Sequence, residues 1–146
     1  MSCAVILMAG YVMFADIGRH EAGHVSAPMV EAQVCTEGVG GYANATANGL
    51  YAGGIKYDLT HAQGPFTFAV SPRIGVSHAD HPVHALPSHT QFDLGIGFSV
   101  RYDQFISQIG YSHWSRGCAL SIPCSDNEYQ HNHGLNRIEL KTGIVF

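Results

Sequence analysis

Charged residues are scarce in this 146-residue sequence, where Asp, Glu, Lys and Arg make up only 12% of the chain. An ordinary soluble domain carries about 25%. The 7 Lys and Arg residues are scattered and form no basic stripe, so nothing in the sequence suggests a nucleic-acid partner. With 17 glycines and 7 tyrosines, the low charge favours a β-protein with apolar surface on two sides. A barrel in lipid and a closely packed assembly subunit both have that property.

A hydrophobic run long enough for a membrane-spanning helix is also absent. The apolar stretch from Cys3 to Ala15 is shorter than the ~20 residues that such a helix needs. No Lys or Arg precedes it, and residues 12–15 make a poor signal-peptide cleavage site. Residues 1–15 are therefore either a signal-like segment or a first strand. The whole of 1–146 is expected to fold as one domain.

The four cysteines contain no C-x-x-C pair, which argues against a structural zinc site. Cys118 and Cys124 bracket a loop of five residues. This spacing suits a local disulfide in an oxidising compartment, and two free thiols are the alternative.

Heptads, helical periodicity and internal repeats are missing, whereas alternation with period two is frequent. From Asp93 to Tyr102, for example, apolar side chains occupy every second position without a slip. The predicted strands are Phe14–His24, Val30–Cys35, Tyr51–Leu59, Phe66–Val76, Asp93–Tyr102, Gln104–Trp114 and Leu135–Phe146. The predicted loops are Glu37–Asn48, Thr60–Pro65, His78–His89 and Gly117–His133. Six to eight strands predict an all-β, antiparallel, up-and-down barrel, with a barrel-like sandwich as the alternative.

Two segments near the C-terminus carry a family resemblance. Residues 110–117 read Gly-Tyr-Ser-His-Trp-Ser-Arg-Gly, and residues 132–136 read Asn-His-Gly-Leu-Asn. Together they resemble the lipid A deacylase, or acyloxyacyl hydrolase-like, family of small outer-membrane barrels. The resemblance covers the chain well from Asp93 onward and is looser before it.

The resemblance implies a serine hydrolase, without a cofactor, that removes ester-linked acyl chains from lipopolysaccharide in the outer membrane of a Gram-negative bacterium. Ser115 would be the nucleophile, His113 its base and Asn136 the residue that orients the histidine. Backbone N–H groups of Arg116 and Gly117 would stabilise the oxyanion.

The sequence departs from the family at two of these positions. Arg116 stands where the family has an Asn that shapes the oxyanion site, and Asn136 stands where some relatives carry an acid. An amide can fix the tautomer of an imidazole but cannot neutralise an imidazolium. Glu128, in the long loop, is an alternative acid.

Strand parity places the candidate residues with respect to the two faces of the sheet. His113 shares the apolar side of its strand with Ile109, and continued alternation adds Ser115 to that side. Asn136 shares the apolar side of the last strand, which faces lipid in a membrane barrel. Glu139 has the opposite parity and lies between Arg137 and Lys141, each two positions away. It is therefore predicted to be an interior ion-pair partner.

A second hypothesis is a non-enzymatic barrel, such as a structural subunit of a virus particle. The missing basic segment at the N-terminus and Arg116 favour it. It predicts other protein subunits, in place of lipid, on the apolar faces.

A third hypothesis is a zinc peptidase, because residues 20–24 read His-Glu-Ala-Gly-His and match H-E-x-x-H. That chemistry needs both His20 and His24 on one face of a helix, and the glycines and Pro28 around them disfavour a helix. On a strand the two histidines would lie ~13 Å apart, which is too far for one metal ion. The histidine-rich loop His78–His89 is either a metal or pH-sensing segment or a solvated loop.

Overall fold

The computed structural model describes residues 3–15, 26–80, 90–115 and 135–146. These residues form eight antiparallel strands: β1 (Val5–Ala15), β2 (Ser26–Val34), β3 (Gly38–Thr46), β4 (Leu50–Gln63), β5 (Phe66–Ala79), β6 (Thr90–Tyr102), β7 (Phe105–Ser115) and β8 (Leu135–Val145). Each strand pairs with the next, and β1 pairs with β8, so the sheet closes into a barrel. The all-β, up-and-down barrel predicted from the alternation is confirmed. Within these ranges no helix has the length and apolar character needed to cross a membrane.

Alternation along the strands separates an apolar outer face from a polar interior. β2, for example, alternates exposed and buried side chains along its whole length. Outward side chains include Leu7, Tyr11, Val30, Ile55, Ile74, Phe98, Ile109 and Leu140. Inward side chains include Glu31, Gln33, Lys56, Asp58, Asp93, Gln108, Arg137, Glu139 and Lys141. The barrel therefore has apolar side chains outside and charged side chains inside, which is the reverse of the usual distribution in a soluble protein.

Two loop predictions in the first half of the chain are wrong. The segment predicted as the loop Glu37–Asn48 contains β3, whose many glycines and alanines weaken the alternation without removing the backbone hydrogen bonds to β2 and β4. β4 continues past the predicted loop start at Thr60, and Gly64, with φ of 60°, makes the turn to β5. The strand predicted over Phe14–His24 overlaps the end of β1, and its residues 16–24 lie outside the described part of the chain, so that part stays a prediction.

The two ends of the barrel differ in the length of their connections. At the short-turn end, the strands are joined through residues 35–37, 64–65 and 103–104. At the long-loop end, they are joined through residues 16–25, 47–49, 80–89 and 116–134. The C-terminal end of β7 and the N-terminal end of β8 both lie at the long-loop end.

Side chains fill the interior at three levels along the described strands. An apolar cluster that includes Val12, Met29 and Trp114 occupies the long-loop half. A network of charged side chains follows it. A second apolar cluster lies towards the short-turn end, beside a cavity of about 60 Å³, and is made of Ile6, Met8, Ile106 and Val145. Eight strands leave an interior just wide enough for side chains to fill. Gly95 contributes to this packing, because a Cβ at this position would lie 2.8 Å from Nε of Arg73.

A disulfide between Cys3 and Cys35 lies at the short-turn end. The two cysteines are 32 positions apart in sequence, and the antiparallel pairing of Val5 with Val34 brings them together. The backbone N–H of Cys35 also donates to the carbonyl oxygen of Ala4, at 2.9 Å. The predicted partners Cys118 and Cys124 lie outside the described residues, so that pairing stays a prediction.

Loss of the Cys3–Cys35 bridge should destabilise the barrel. The double variant Cys3→Ser/Cys35→Ser is expected to lose about 2–4 kcal/mol of unfolding free energy, because the bridge restricts the unfolded chain. Denaturant titration in detergent micelles, followed by tryptophan fluorescence, measures the difference. Reductant should bring the wild type to the midpoint of the equally reduced double variant. A further shift of the reduced double variant would reveal the Cys118–Cys124 bridge, and unchanged stability of the double variant would contradict the prediction.

Candidate functional site

His113 and Asn136 meet on the outer face of the barrel, near its long-loop end. They are directly opposite each other in the register of β7 and β8. Nδ1 of His113 lies 2.9 Å from Oδ1 of Asn136, and both side chains are partly buried. Two of the three residues in the predicted catalytic group are therefore in hydrogen-bond contact.

The contact with Asn136 determines which ring nitrogen of His113 carries the proton. An amide oxygen only accepts hydrogen bonds, so His113 donates to Oδ1 through Nδ1–H. Its Nε2 then keeps a lone pair and is the nitrogen that can accept a proton. A base that takes a proton from a serine hydroxyl needs this tautomer.

Tyr111 is a third member of this cluster that strand parity and motif comparison did not single out. Its hydroxyl donates to Oδ1 of Asn136 at 2.6 Å, so the same amide oxygen accepts from two side chains. Tyr111 pairs directly with Ile138 and reaches Asn136 diagonally across the two strands. The sequence feature that could have indicated Tyr111 is its position two residues before His113, on the same face of the strand.

Ser115 is the last residue of β7 and pairs with Phe92 of β6 in the strand register. Its backbone is described, but its side chain lies outside the described part of the structure. The same is true of both backbone and side chain for the other predicted groups: Arg116 and Gly117 of the oxyanion site, the alternative acid Glu128, and the zinc-peptidase pair His20 and His24. Their predicted roles stay predictions.

Trp114 fixes the end of β7 from inside the barrel. It alternates with the outward His113, is fully buried, and donates from Nε1 to Oδ1 of Asp93 at 3.1 Å. Oδ2 of Asp93 accepts from the hydroxyl of Tyr42 at 2.7 Å, and the Arg137 guanidinium lies 4.3 Å from the indole centroid. These contacts join β3, β6, β7 and β8 directly behind the outward site.

A charged cluster crosses the middle of the barrel. We use this name for three acids and three bases: Glu31, Asp93, Glu139, Arg73, Arg137 and Lys141. Glu139 contacts all three bases, at 2.7 Å to Arg73, 2.8 Å to Arg137 and 2.8 Å to Lys141. The prediction that Glu139 is an interior ion-pair partner is confirmed. The three positive and three negative formal charges cancel, so the charged cluster has no net charge.

An apolar groove of about 470 Å³ runs along the outer face beside Tyr111. Its walls come from β5 to β8, and its side chains are Val70, Ile96, Phe98, Ile109, Tyr111 and Ile138. The groove therefore begins next to the His113–Asn136 pair and offers only apolar side chains and the Tyr111 ring to whatever lies in it.

A second histidine lies on the outer rim, on β5. His78 Nε2 is 3.7 Å from Oδ1 of Asp80, and Oδ2 of Asp80 accepts from the hydroxyl of Tyr51 at 3.2 Å. Across the described ranges, no group of three or more His, Cys, Asp or Glu side chains could hold a metal ion. His81, His84 and His89 of the predicted histidine-rich loop lie outside those ranges.

Comparisons with known proteins find similarity in structure and none in sequence. No protein-family model matches the chain, and no curated protein sequence does. Among solved structures, the chain is similar to Ail, the attachment invasion locus protein of Yersinia pestis, solved in complex with the heparin analogue sucrose octasulfate. The similarity covers all of both chains, with 12% sequence identity and a TM-score of 0.48.

Proposed function

We propose that this chain is an outer-membrane β-barrel. A closed sheet has no free edge, so every strand can satisfy its backbone hydrogen bonds inside a bilayer. The strands contain 9 to 14 residues, and a tilted strand needs about 9–11 to cross. The outward apolar side chains and the inward charges have the distribution that lipid requires.

Aromatic side chains mark both edges of the outer face. Phe66, Tyr102 and Phe105 are exposed near the short-turn end, and the rings of Phe66 and Tyr102 are 5.2 Å apart. Tyr51 and Phe92 are exposed near the long-loop end. Rings of aromatic residues flank the apolar band of membrane barrels at the two interfaces.

The connections orient the barrel in this membrane. Bacterial barrels keep short turns in the periplasm and longer loops outside. The Cys3–Cys35 disulfide at the short-turn end fits the oxidising periplasm. The site at the long-loop end would then face the outer leaflet, so that His113 meets lipopolysaccharide in a Gram-negative bacterium.

In this orientation, the function that the site supports best is hydrolysis of ester-linked acyl chains of the outer-leaflet lipid, as in lipid A deacylases. One observation carries the proposal: His113 is bonded to Asn136 on the lipid-facing side, two residues before the end of β7, where Ser115 follows it. The adjacent groove has the apolar lining that an acyl chain needs.

The proposed reaction proceeds through an acyl-enzyme. Nε2 of His113 takes the hydroxyl proton of Ser115 as its oxygen attacks the ester carbonyl. The proton then passes to the leaving sugar oxygen when the ester bond breaks. Water, deprotonated by the same Nε2, attacks the acyl-enzyme and releases the fatty acid and free Ser115. Backbone N–H groups of Arg116 and Gly117 would hold the oxyanion, and Asn136 keeps the proton on Nδ1 throughout.

The purified barrel in vesicles containing lipopolysaccharide tests this proposal. Wild-type protein should release fatty acid, detected by mass spectrometry together with the matching deacylated lipid A. Ser115→Ala should abolish the release. His78→Ala is the matched control, because it removes an outer-rim histidine at the same end and should leave the rate unchanged. A folded wild-type barrel that releases no fatty acid would favour the non-enzymatic alternative, and an active Ser115→Ala variant would remove Ser115 as the nucleophile.

A further inference from the structure

We infer that Tyr111 is a positioning residue that holds the Asn136 amide in the orientation in which its oxygen faces His113. This inference rests on the proposed function and adds a residue to its site. The two contacts that carry it are Tyr111 Oη to Asn136 Oδ1, at 2.6 Å, and Asn136 Oδ1 to His113 Nδ1, at 2.9 Å.

An asparagine beside a histidine has an ambiguity that a carboxylate lacks. If its amide turns over, its NH₂ group faces the ring and donates to Nδ1, which must then be the unprotonated nitrogen. The proton moves to Nε2, and His113 can no longer accept a proton from a serine. Selection of one amide orientation is therefore equivalent to selection of the active tautomer.

Tyr111 supplies that selection through the chemistry of its hydroxyl. A phenol O–H is a good donor, and the amide oxygen is the acceptor of the Asn136 side chain, whereas its NH₂ group only donates. With the oxygen turned toward it, Tyr111 donates to an acceptor that already receives the Nδ1–H of His113. With the NH₂ group turned toward it, the phenol would lose that acceptor and could only accept, through a hydroxyl oxygen that is a weaker acceptor than an amide oxygen. Tyr111 thus stabilises the orientation that leaves Nε2 of His113 as the base.

The position of Tyr111 leaves its hydroxyl available for this role. The side chain is outward, 41% exposed, and its ring lines the apolar groove. Ring and hydroxyl therefore have separate functions, and Tyr111→Phe removes the hydroxyl while it keeps the groove wall. An effect on substrate binding and an effect on the histidine should appear in different kinetic constants.

The experiment is a double-mutant cycle in lipopolysaccharide vesicles. Tyr111→Phe is expected to lower kcat by about threefold to tenfold, the range for loss of one hydrogen bond, with KM unchanged. Asn136→Asp replaces the amide with a carboxylate whose two ends are equivalent, so Tyr111→Phe should have little effect in that background. Tyr57→Phe, which removes an outward hydroxyl from β4, is the matched control and should retain wild-type kinetics. An unchanged kcat in Tyr111→Phe, or an equal loss in both backgrounds, would overturn the inference.

A measurement that does not depend on hydrolysis separates this inference from the proposed function. ¹⁵N-histidine NMR in detergent micelles distinguishes the Nδ1–H from the Nε2–H tautomer, and His113→Gln assigns the signal. The wild type should show His113 as Nδ1–H, and Tyr111→Phe should show a mixture of both tautomers. This result would support the role of Tyr111 even in a barrel that hydrolyses nothing, whereas an unchanged tautomer in Tyr111→Phe would refute it.

Discussion

Replacement of His113 with alanine is expected to lower kcat for acyl-ester hydrolysis by about 10³-fold or more. Without the imidazole, the described site keeps only the Asn136 amide and the Tyr111 phenol. Neither group can replace His113 as the base. A serine hydroxyl at neutral pH is a weak nucleophile unless a base takes its proton. Initial rates of fatty-acid release from lipopolysaccharide vesicles measure the loss.

Asn136 variants separate orientation of His113 from charge stabilisation. Asn136→Leu should lower kcat by about 10²-fold or more, because Nδ1–H of His113 loses its acceptor. Asn136→Asp keeps an acceptor and adds a negative charge that stabilises the imidazolium, so its kcat should equal or exceed that of the wild type. If His113→Ala retains its activity, His113 is not the base. If Asn136→Leu retains wild-type activity, the contact of Asn136 with His113 does not contribute to catalysis.

The parts of the fold that could be predicted from sequence are those with strong local alternation. β6 places an apolar residue at every second position from Phe92 to Tyr102, and β7 and β8 keep most of that alternation, with polar exceptions such as Ser107 and Thr142 on the outer face. The same argument assigned Glu139 to the interior and His113 to the outside. A period of two determines which face of the sheet each residue occupies. The sequence could therefore predict that the site lies on the outer face, but not which side chains are in contact there.

Other features depend on contacts that no local pattern reveals. β3 is rich in glycine and alanine, so its strand is evident only from hydrogen bonds to its two neighbours. Cys3 and Cys35 meet because β1 and β2 pair, and Arg73 enters the charged cluster from β5, 66 positions from Glu139. The contact of Tyr111 with Asn136 could be recognised only from the register of β7 against β8 together with the parity of Tyr111 on its own strand. The nucleophile, the oxyanion groups and Glu128 stay predictions.

Substitution of Glu139 tests the charged cluster that supports the site from inside. Glu139→Gln should lower the free energy of unfolding by about 3–5 kcal/mol, because Arg73, Arg137 and Lys141 then share only two carboxylates in a buried network. The side chain of Glu139 is fully buried, so water does not replace the lost charge. Urea titration in lipid vesicles measures the change, and Asp103→Asn, in the turn between β6 and β7, is a control that should have no effect.

A compensating change shows whether charge balance is the reason. Glu139→Gln combined with Lys141→Met removes one acid and one base, leaving two of each in the cluster. Lys141 contacts only Glu139 and Glu31 among the described acids, so its removal leaves the Arg73 contacts with Glu31 and Asp93 in place. The double variant should therefore recover a substantial part of the lost stability. A double variant no more stable than Glu139→Gln would mean that the geometry of the Glu139 hydrogen bonds, and not the balance of charge, stabilises the interior.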